Sequence, residues 1–444
     1  MSEWKKVKIG DFLTESKIIA EESDAAHRIT VRLNCKGVEQ RSLKAEKEGA
    51  TKYYTRKAGQ FIYGKQNIHK GAFGIIPQEL DGFTSSADLP AFDVDLSKCI
   101  PEWICICLQK DEYYKSLQKN VKGVGSQRLA VNVFLDSEIP LPSVEKQEEI
   151  IKKIKLQLQK AELLAVELES QKNYIKQLRQ NLLQDAIEGK LTADWRKQNP
   201  VKKGNPDYDA EALFEQIQKE RNNEKKQKDL SSITDKEKPF EIPKGWKWVR
   251  LGEIIKEPPR NGYSPKAVDY ETPIKTLKLG AVTYGIFDSN EYKFINEEIP
   301  KDAYCWLKNG DFLIERSISV EYVGICAIYT GKDNEFMYPD LLMRFRTQDN
   351  LSKKYIHTAL VSPFNRSYFM SNAKGAQKTM PKINQECVVN TMIPLPPLKE
   401  QEEIVKQANK NLQIVSDLEN QITKREQLAK QLMQSILIDA FEEN

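Results

Sequence analysis

The sequence predicts a mixed α/β (α+β) protein made of two copies of one unit, each a mixed domain followed by a long helix. Three observations predict this: a motif that occurs twice, a heptad pattern after each copy of the motif, and short β-branched and aromatic runs before it. The length of 444 residues fits two to four structural units, because a domain usually takes about 100–200 residues.

The internal repeat is the strongest of these signals. IPLPSVEKQEEIIK, from Ile139, recurs as IPLPPLKEQEEIVK, from Ile393, with nine of fourteen positions identical. Upstream, WKKVKIGDFL at Trp4 resembles WKWVRLGEII at Trp246, and AGQFIYGK resembles NGDFLIER. Repeats of this kind indicate duplicated structural units.

The helical part of each copy has a narrow apolar seam. Apolar positions alternate in steps of four and three from 150 to 182 and again 254 residues later, which is heptad spacing. We therefore expect the two helices to pack on each other as a coiled coil, with an ordinary amphipathic helix on a globular core as the alternative. The predicted interface residues are Ile150, Ile154, Leu164, Leu168, Ile175, Leu178 and Leu182, and Ile404, Val415, Leu418, Ile422, Leu432 and Ile436.

The predicted boundaries follow from these patterns. Runs such as GQFIYG and YVGICAIYT, separated by Gly, Pro, Asn and Asp, are typical of strands and turns. The segment between the copies holds one short predicted helix, ALFEQIQKE, and then a stretch almost without apolar residues, which indicates a solvated, charged linker. The ranges are 1–142 and 244–396 for the mixed domains, 143–189 and 397–444 for the helices, and 190–243 for the linker.

The composition excludes several classes of protein. With 40% hydrophobic and 30% charged residues and a mean hydropathy of −0.59, no membrane span is expected, and the start MSEWKKVKIG does not resemble a signal peptide. We expect a cytoplasmic protein with no membrane partner. The seven cysteines form no CxxC pair, and the three histidines lie far apart, so neither a disulfide framework nor a zinc site is expected.

Basic segments suggest contact with nucleic acid, although the net charge is only +4. Three stretches without acidic residues, 51–70, 115–132 and 366–382, carry four or more Lys and Arg each, and the last two contain the turns KGVGSQR and KGAQK. A solvated surface is the alternative for each. The phosphate candidates are Lys52, Arg56, Lys65, Lys70, Lys122 and Lys374, the base-edge candidates are Gln66, Asn67, Gln127, Arg128, Arg260, Asn261 and Gln377, and Lys378 is a further DNA-contact candidate.

Catalytic motifs are not found. Glu257-Pro258-Pro259-Arg260 is the string nearest to the catalytic turn of a DNA methyltransferase, and it lacks both the amide and the aromatic residue. Neither GxxxxGK[ST] nor GxGxxG occurs. Asp207 followed by Glu224-Lys225-Lys226 fits a loose nuclease pattern, but within the hydrophilic linker. We expect no catalytic residue and no metal ligand in this chain.

The combination of features resembles the specificity subunit of a type I restriction–modification system. The resemblance rests on two variable domains that each precede an IPLPxxxxQEEIxxx helix, and on the segments GDFLIERSISVEYVG, EIPKGWKWVRLGE and DAIEGKLTADWR. It covers essentially the whole chain. It implies a non-catalytic DNA reader whose two target-recognition domains each bind one half of a split asymmetric site.

The resemblance also implies an architecture and a set of partners. The two helices would form an antiparallel coiled coil within a pseudo-two-fold repeat, and a helix from Ile150 to Leu182 would span about 50 Å and act as a ruler between the half-sites. The partners would be double-stranded DNA, two methyltransferase subunits with S-adenosylmethionine, and two restriction subunits that use ATP and Mg. No cofactor is expected on this chain itself. The alternatives are a structural tether without DNA specificity and a stand-alone metal-dependent nuclease that uses Asp207 and Glu224.

Overall fold

The computed structural model describes residues 4–21, 24–42, 52–120, 128–223, 230–316, 319–374 and 381–442. The chain divides into two compact units, which we call unit 1 (residues 1–170 and 422–444) and unit 2 (residues 171–421). This division cuts both long helices, whereas the boundaries predicted from the sequence leave each helix whole.

Unit 1 is a mixed α/β body around a four-stranded antiparallel sheet with the order β2-β9-β6-β7. Stacked aromatic rings fill its core, with the ring centroids of Phe61 and Phe134 5.6 Å apart. The strands are β1 (Lys6–Lys8), β2 (Leu13–Ser16), β3 (Ile29–Val31), β4 (Val38–Gln40), β5 (Tyr53–Thr55), β6 (Phe61–Tyr63), β7 (Phe73–Ile75), β8 (Thr84–Ser86), β9 (Ala91–Val94) and β10 (Glu138–Pro140). The helices are α1 (Pro101–Gln109), α2 (Tyr113–Ser116), α3 (Val131–Leu135) and α4 (Val144–Ile187), which continues into unit 2.

Unit 2 contains a four-stranded antiparallel sheet of the same kind, with the order β12-β19-β16-β17, and a further mixed sheet with the order β13-β15-β14-β18. The helices are α5 (Ala193–Gln198), α6 (Ala210–Asn223), α7 (Leu251–Ile254), α8 (Lys353–Val361), α9 (Pro363–Asn372), α10 (Gln385–Val389) and α11 (Leu398–Glu442). The strands are β11 (Lys247–Arg250), β12 (Ile255–Asn261), β13 (Ala267–Val268), β14 (Ile274–Leu277), β15 (Tyr292–Ile295), β16 (Phe312–Glu315), β17 (Cys326–Ile328), β18 (Phe336–Met337), β19 (Leu342–Thr347) and β20 (Met392–Leu395).

A buried glutamine fixes the start of α4 within unit 1. The side-chain oxygen of Gln147 accepts from the backbone N–H of Ile100 at 2.8 Å, and its amide donates to the carbonyl of Pro142 at 2.9 Å. Gln147 is fully buried, so its amide must find protein partners. These bonds join the long helix to the turn that precedes α1.

An equivalent glutamine fixes the start of α11 within unit 2. Gln401 is fully buried, accepts from the backbone N–H of Ser352 at 3.1 Å and donates to the carbonyl of Pro396 at 2.9 Å. Both glutamines come from the QEEI part of the repeated motif. The repeated Gln and Pro therefore have a structural role, which is to join each long helix to the body of its unit.

Burial along the two long helices follows a strict seven-residue spacing. Its most buried seam positions are Ile154, Ala161, Leu168 and Ile175 in α4 and Ala408, Val415, Ile422 and Ala429 in α11, each between 1% and 8% exposed. At the start of each helix, Ile150 and Ile404 are buried too. Leu182 is half-buried, and the side chain of Ile436 lies outside the described residues.

Four predicted interface residues do not lie deep in this seam. Leu164, Leu178, Leu418 and Leu432 are 40%, 42%, 38% and 49% exposed. They belong to the second seam position of each heptad, where leucine alternates with the polar residues Gln157, Gln171, Asn411 and Arg425. A column interrupted by polar groups stays near water, because burying those groups without partners would cost free energy.

The predicted linker is not wholly solvated. The segment from 190 to 223 folds as α5 and α6, and Leu213 and Ile217 of α6 are buried in the core of unit 2. The backbone N–H of Leu398 donates to the carbonyl of Pro206 at 3.1 Å. Although this segment has few apolar residues, those of α6 recur with the spacing i, i+3, i+4 and i+7 and form one apolar face. Such a face suffices to attach a helix to a core.

Buried polar groups hold one end of the four-stranded sheet of unit 2. Glu315, at the end of β16, is fully buried and accepts from the hydroxyl of Thr283 at 2.7 Å. Burial raises the pKa of the Glu315 carboxyl to about 7, against an ordinary value of 4.5. Nearby, Nε2 of His357 lies 3.0 Å from the carbonyl oxygen of Gly285 and 2.9 Å from that of Cys326, which assigns its proton to Nε2.

Replacement of Gln401 by leucine tests the joint between α11 and the body of unit 2. We expect the free energy of unfolding to fall by about 1–3 kcal/mol, because the change leaves a buried N–H and a buried carbonyl without partners. Urea unfolding followed by circular dichroism measures this. Gln413→Leu, an exposed position of the same helix, is the matched control and should stay within about 0.5 kcal/mol of the parent. Equal losses in the two variants would contradict the role of Gln401.

The buried carboxyl of Glu315 predicts a pH dependence. Between about pH 4.5 and 7 the folded state keeps a proton that the unfolded state has lost, so the free energy of unfolding falls as pH rises, by up to about 3 kcal/mol. Glu315→Gln should remove most of this slope. Urea unfolding at several pH values measures it, with the exposed Glu298→Gln as control. An unchanged slope in Glu315→Gln would show that this carboxyl is not the group responsible.

Candidate nucleic-acid interface

One end of the sheet in unit 2 gathers several polar and cationic side chains. Asn261, at the end of β12, pairs with Met343 of β19, which also pairs with Ile314 of β16. The residues that follow β12 and β16 therefore leave the sheet at the same end, which we call the unit 2 sheet end. Arg260 and Arg316 both lie there.

Arg260 is exposed and held in place by an aromatic ring. Its guanidinium carbon lies 3.4 Å from the centroid of the Tyr304 ring, and its carbonyl accepts from the hydroxyl of Tyr338 at 3.3 Å. Stacking orients the planar guanidinium but leaves its edge free to donate hydrogen bonds. Arg260 with the half-buried Asn261 beside it is thus suited to contact base edges or phosphates.

Arg316, Lys374 and Lys382 line one pocket of about 410 Å³ at this end. The backbone N–H of Ile383 donates to the carbonyl of Arg316 at 3.0 Å, and Lys374 and Lys382 exchange two backbone hydrogen bonds of 2.9 Å. The amides Asn372, Asn384 and Asn390 also line the pocket, with Glu386 as its acidic member. Three cations around one opening are an arrangement that attracts phosphate.

The sheet of unit 1 carries a counterpart, the unit 1 sheet end. Lys65 follows β6 as Arg316 follows β16, and the backbone N–H of Leu129 donates to the carbonyl of Lys65 at 2.9 Å. Next to Leu129, Arg128 donates from Nε and Nη2 to the two carboxylate oxygens of Asp88, at 3.0 and 3.1 Å. Lys65 and Arg128 thus occupy the positions that Arg316 and Lys382 occupy in unit 2.

A tight turn after β6 presents the neighbouring candidates. Asn67 accepts at its carbonyl from the N–H of Lys70 at 2.9 Å, and Gly71 has φ +76°. A Cβ on Gly71 would lie 2.8 Å from the backbone nitrogen of Cys35, so only glycine fits. Lys70 is exposed, and Gln66 and Asn67 are half-buried. The turn therefore brings Gln66, Asn67 and Lys70 beside Lys65.

The prediction that Arg56 contacts a phosphate is wrong, because its side chain is buried. Its side chain is 1% exposed, and its three nitrogens donate to the hydroxyl of Ser85 at 2.7 Å, the carbonyl of Ser16 at 2.9 Å and the carbonyl of Leu89 at 3.1 Å. Burial lowers the pKa of the guanidinium to about 10. Arg56 supports the fold by satisfying buried acceptors.

The remaining candidates are divided between the surface and undescribed segments. Lys52 is exposed and immediately precedes β5, which pairs with β8 and is not part of the four-stranded sheet. The predictions for Lys122, Gln127, Gln377 and Lys378 lie outside the described residues.

Sequence reasoning did not single out Arg316, Lys382 or Tyr304. The resemblance of AGQFIYGK to NGDFLIER aligns Arg316 with Lys65 and could have identified it. Lys382 ends the basic stretch 366–382 but was not among the predicted DNA-contact residues. The stacking of Tyr304 on Arg260 joins residues 44 positions apart in sequence and leaves no local signal.

The described residues contain no group of three His, Cys, Asp or Glu side chains that could hold a metal ion. Glu224 of the loose nuclease pattern lies outside them, and the carbonyl of Asp207 accepts from the N–H of Lys399 at 3.2 Å. A search of the same residues finds no helix long and apolar enough to cross a membrane.

Comparisons with known proteins give one consistent result. Residues 243–430 match the family model described as "Type I restriction modification DNA specificity domain". The chain is 29% identical over 262 residues to the EcoEI specificity subunit of Escherichia coli, covering 56% of this chain and 42% of that protein. It is 26% identical over 307 residues to the EcoKI specificity subunit of E. coli K12, covering 68% and 56%. The chain spans about half the length of the curated relatives that it matches.

Solved structures share the fold. The HsdS subunit of Thermoanaerobacter tengcongensis has a TM-score of 0.57 at 18% identity, covering 100% of this chain and 97% of that chain. A chain from a study of complex assembly and conformational transition of the type I R-M system has a TM-score of 0.60 at 17% identity, covering 99% and 98%. The family model and the curated relatives thus make the chain similar to the specificity subunits of type I restriction–modification systems, and the solved structures show a common fold.

Proposed function

We propose that the chain is the non-catalytic DNA-reading subunit of a type I restriction–modification complex. Each unit reads one half of a split asymmetric site, and partner subunits carry out adenine methylation and DNA cleavage. The observation that carries the proposal is the pair of cations at equivalent positions of both sheet ends, Lys65 with Arg128 and Arg316 with Lys382. The family model and the curated relatives described above are all specificity domains or subunits, and none of them favours the tether or the nuclease.

The two sheet ends share a backbone frame and differ in side chains, which supports unlike half-sites. In unit 1, Arg128 is already paired with Asp88, whereas in unit 2 the cations Arg316 and Lys382 line an open pocket with three amides. A backbone frame positions the protein on phosphates, while the surrounding side chains select bases. The two halves of the site should therefore have different sequences.

The helices are proposed to set the distance between the half-sites as an antiparallel coiled coil. The seven-residue burial pattern supports a coiled coil, because strict heptad spacing is typical of such packing. Two contacts within unit 2 support the antiparallel direction: Arg179 pairs with Glu419 at 2.7 Å, and Thr192 donates to Glu400 at 2.7 Å. Thr192 follows the end of α4 and contacts Glu400 near the start of α11, whereas Arg179, earlier in the chain, contacts Glu419, later in α11, as expected for an antiparallel pair.

The proposed partners follow from the similarity to type I specificity subunits. They are double-stranded DNA, two methyltransferase subunits and two restriction subunits, and the site of action is the cytoplasm. S-adenosylmethionine, ATP and Mg are proposed to bind the partner subunits and not this chain. The interface with DNA depends on local charge, since the net charge of +4 is small.

The salt dependence of DNA binding tests the role of the two sheet ends. In the complex with methyltransferase subunits, Arg316→Ala with Lys382→Ala should lower the slope of log affinity against log salt by about 2, because each lost phosphate contact removes about 0.9. Lys65→Ala with Arg128→Ala should lower the slope by about 1, because Arg128 is already paired with Asp88. Fluorescence anisotropy with a duplex that carries the methylated site measures the slope.

Lys301→Ala with Lys354→Ala, two exposed lysines of unit 2, provides the matched control and should leave the slope unchanged. If both sheet-end variants kept the parent slope, the sheet ends would not be the DNA-contacting surfaces.

A further inference from the structure

A short loop in unit 2 exposes two large apolar side chains side by side. Tyr284 is 85% exposed and Ile286 is 75% exposed, the two highest values among large hydrophobic residues in the part of the chain that the structure describes. Single exposed apolar residues are common at protein surfaces, but two such residues on one loop tip form a small ridge. We call residues 281–288 the ridge loop.

The backbone of the ridge loop is held closed. Gly285 has φ +72°, and its N–H donates to the carbonyl of Val282 at 2.8 Å. The N–H of Asp288 donates to the carbonyl of Ala281 at 3.0 Å. On the inner side Val282 is fully buried, and Phe287 packs edge-on against Tyr329 with the ring centroids 4.8 Å apart. Tyr284 and Ile286 therefore point outward from a fixed frame.

Buried polar groups attach the loop to the body of unit 2. Thr283 donates to Glu315, and His357 bridges the carbonyls of Gly285 and Cys326. Oε2 of Glu315 has no hydrogen-bond partner among the described residues. A buried carboxyl with an unused oxygen lowers stability. The hydrogen bonds from Thr283 and His357 thus fix the loop to the body of unit 2.

The attachment points lie at the unit 2 sheet end. Glu315 is the last residue of β16 and immediately precedes Arg316, and Cys326 is the first residue of β17. Adjacent Cα atoms are about 3.8 Å apart, so Thr283 of the ridge loop is hydrogen-bonded to the residue next to Arg316, one of the cations that the proposed function assigns to phosphates. The ridge loop and Arg316 therefore lie at the same end of the sheet.

We propose that Tyr284 and Ile286 form a wedge that inserts between adjacent base pairs of the half-site bound by unit 2. Proteins that contact DNA phosphates with cations and also insert apolar side chains unstack a base step and kink the duplex by about 20–90°. Rigid placement suits this task, because a mobile loop would lose more conformational entropy on insertion. Flexible pyrimidine–purine steps yield most easily, so the wedge adds selectivity for such a step. This inference rests on the proposed function.

The test uses the full chain in complex with methyltransferase subunits. Duplexes carry 2-aminopurine at single positions of the unit 2 half-site, excluding the methylated adenine, and fluorescence reports unstacking on binding. With the parent chain we expect a rise at one step. Tyr284→Ala with Ile286→Ala should abolish this rise and weaken binding at least about tenfold, because the inserted apolar surface is lost. Tyr284→Trp should keep the rise.

Tyr270→Ala is the matched control, since Tyr270 is an exposed tyrosine (53%) of the same unit outside the ridge loop, and it should behave as the parent. Because both wedge residues are exposed, the double variant should keep its thermal unfolding temperature. A double variant with the parent's fluorescence rise and affinity would overturn the wedge. Loss of methyltransferase subunits from the complex, seen by native mass spectrometry, with an unchanged fluorescence rise would overturn it in favour of a protein contact. If the parent complex itself bound no DNA, the proposed function would fail together with the wedge.

Discussion

The buried glutamine at the start of each long helix is the interaction on which the rest of each unit depends. Gln147 and Gln401 each accept from a backbone N–H in the turn before α1 or α8 and donate to a proline carbonyl before their own helix. The long helix is thereby joined to the sheet body through buried hydrogen bonds, which are costly to break because no water replaces them. Within its unit, each sheet end consequently has a defined position relative to its helix.

A fixed frame with variable side chains would let one fold serve the two unlike half-sites that we propose. The same backbone hydrogen bond, from Leu129 to Lys65 and from Ile383 to Arg316, places a cation at each sheet end. The groups around it differ, with an Arg128–Asp88 ion pair in unit 1 and a pocket of lysines and amides in unit 2. Under the proposed function, substitutions at these positions would alter recognition without disturbing the backbone hydrogen bonds that hold the frame.

Local patterns predicted the parts of the structure that local physics determines. The repeated motif and heptad spacing predicted two long helices, and the structure has them at Val144–Ile187 and Leu398–Glu442. The role of Arg56 could not be predicted, because its acceptors come from strands and turns distant in sequence. The half-exposed leucines of the seam depend on polar neighbours in the same column, and the packing of α6 depends on a core formed by other segments. The burial of Arg56, of the seam leucines and of α6 therefore depends on tertiary contacts, which a local sequence pattern does not show.

The measurement that tests the central claim most directly is a map of adenine methylation. The chain would be co-expressed with the methyltransferase subunit of its own system in a host without other adenine methylation, and genomic DNA would be sequenced for modified bases. The account predicts one split motif with two unlike halves, of which only one changes when residues 1–142 are exchanged for those of another specificity subunit. Methylation without the chain, or at an unsplit motif, would contradict it.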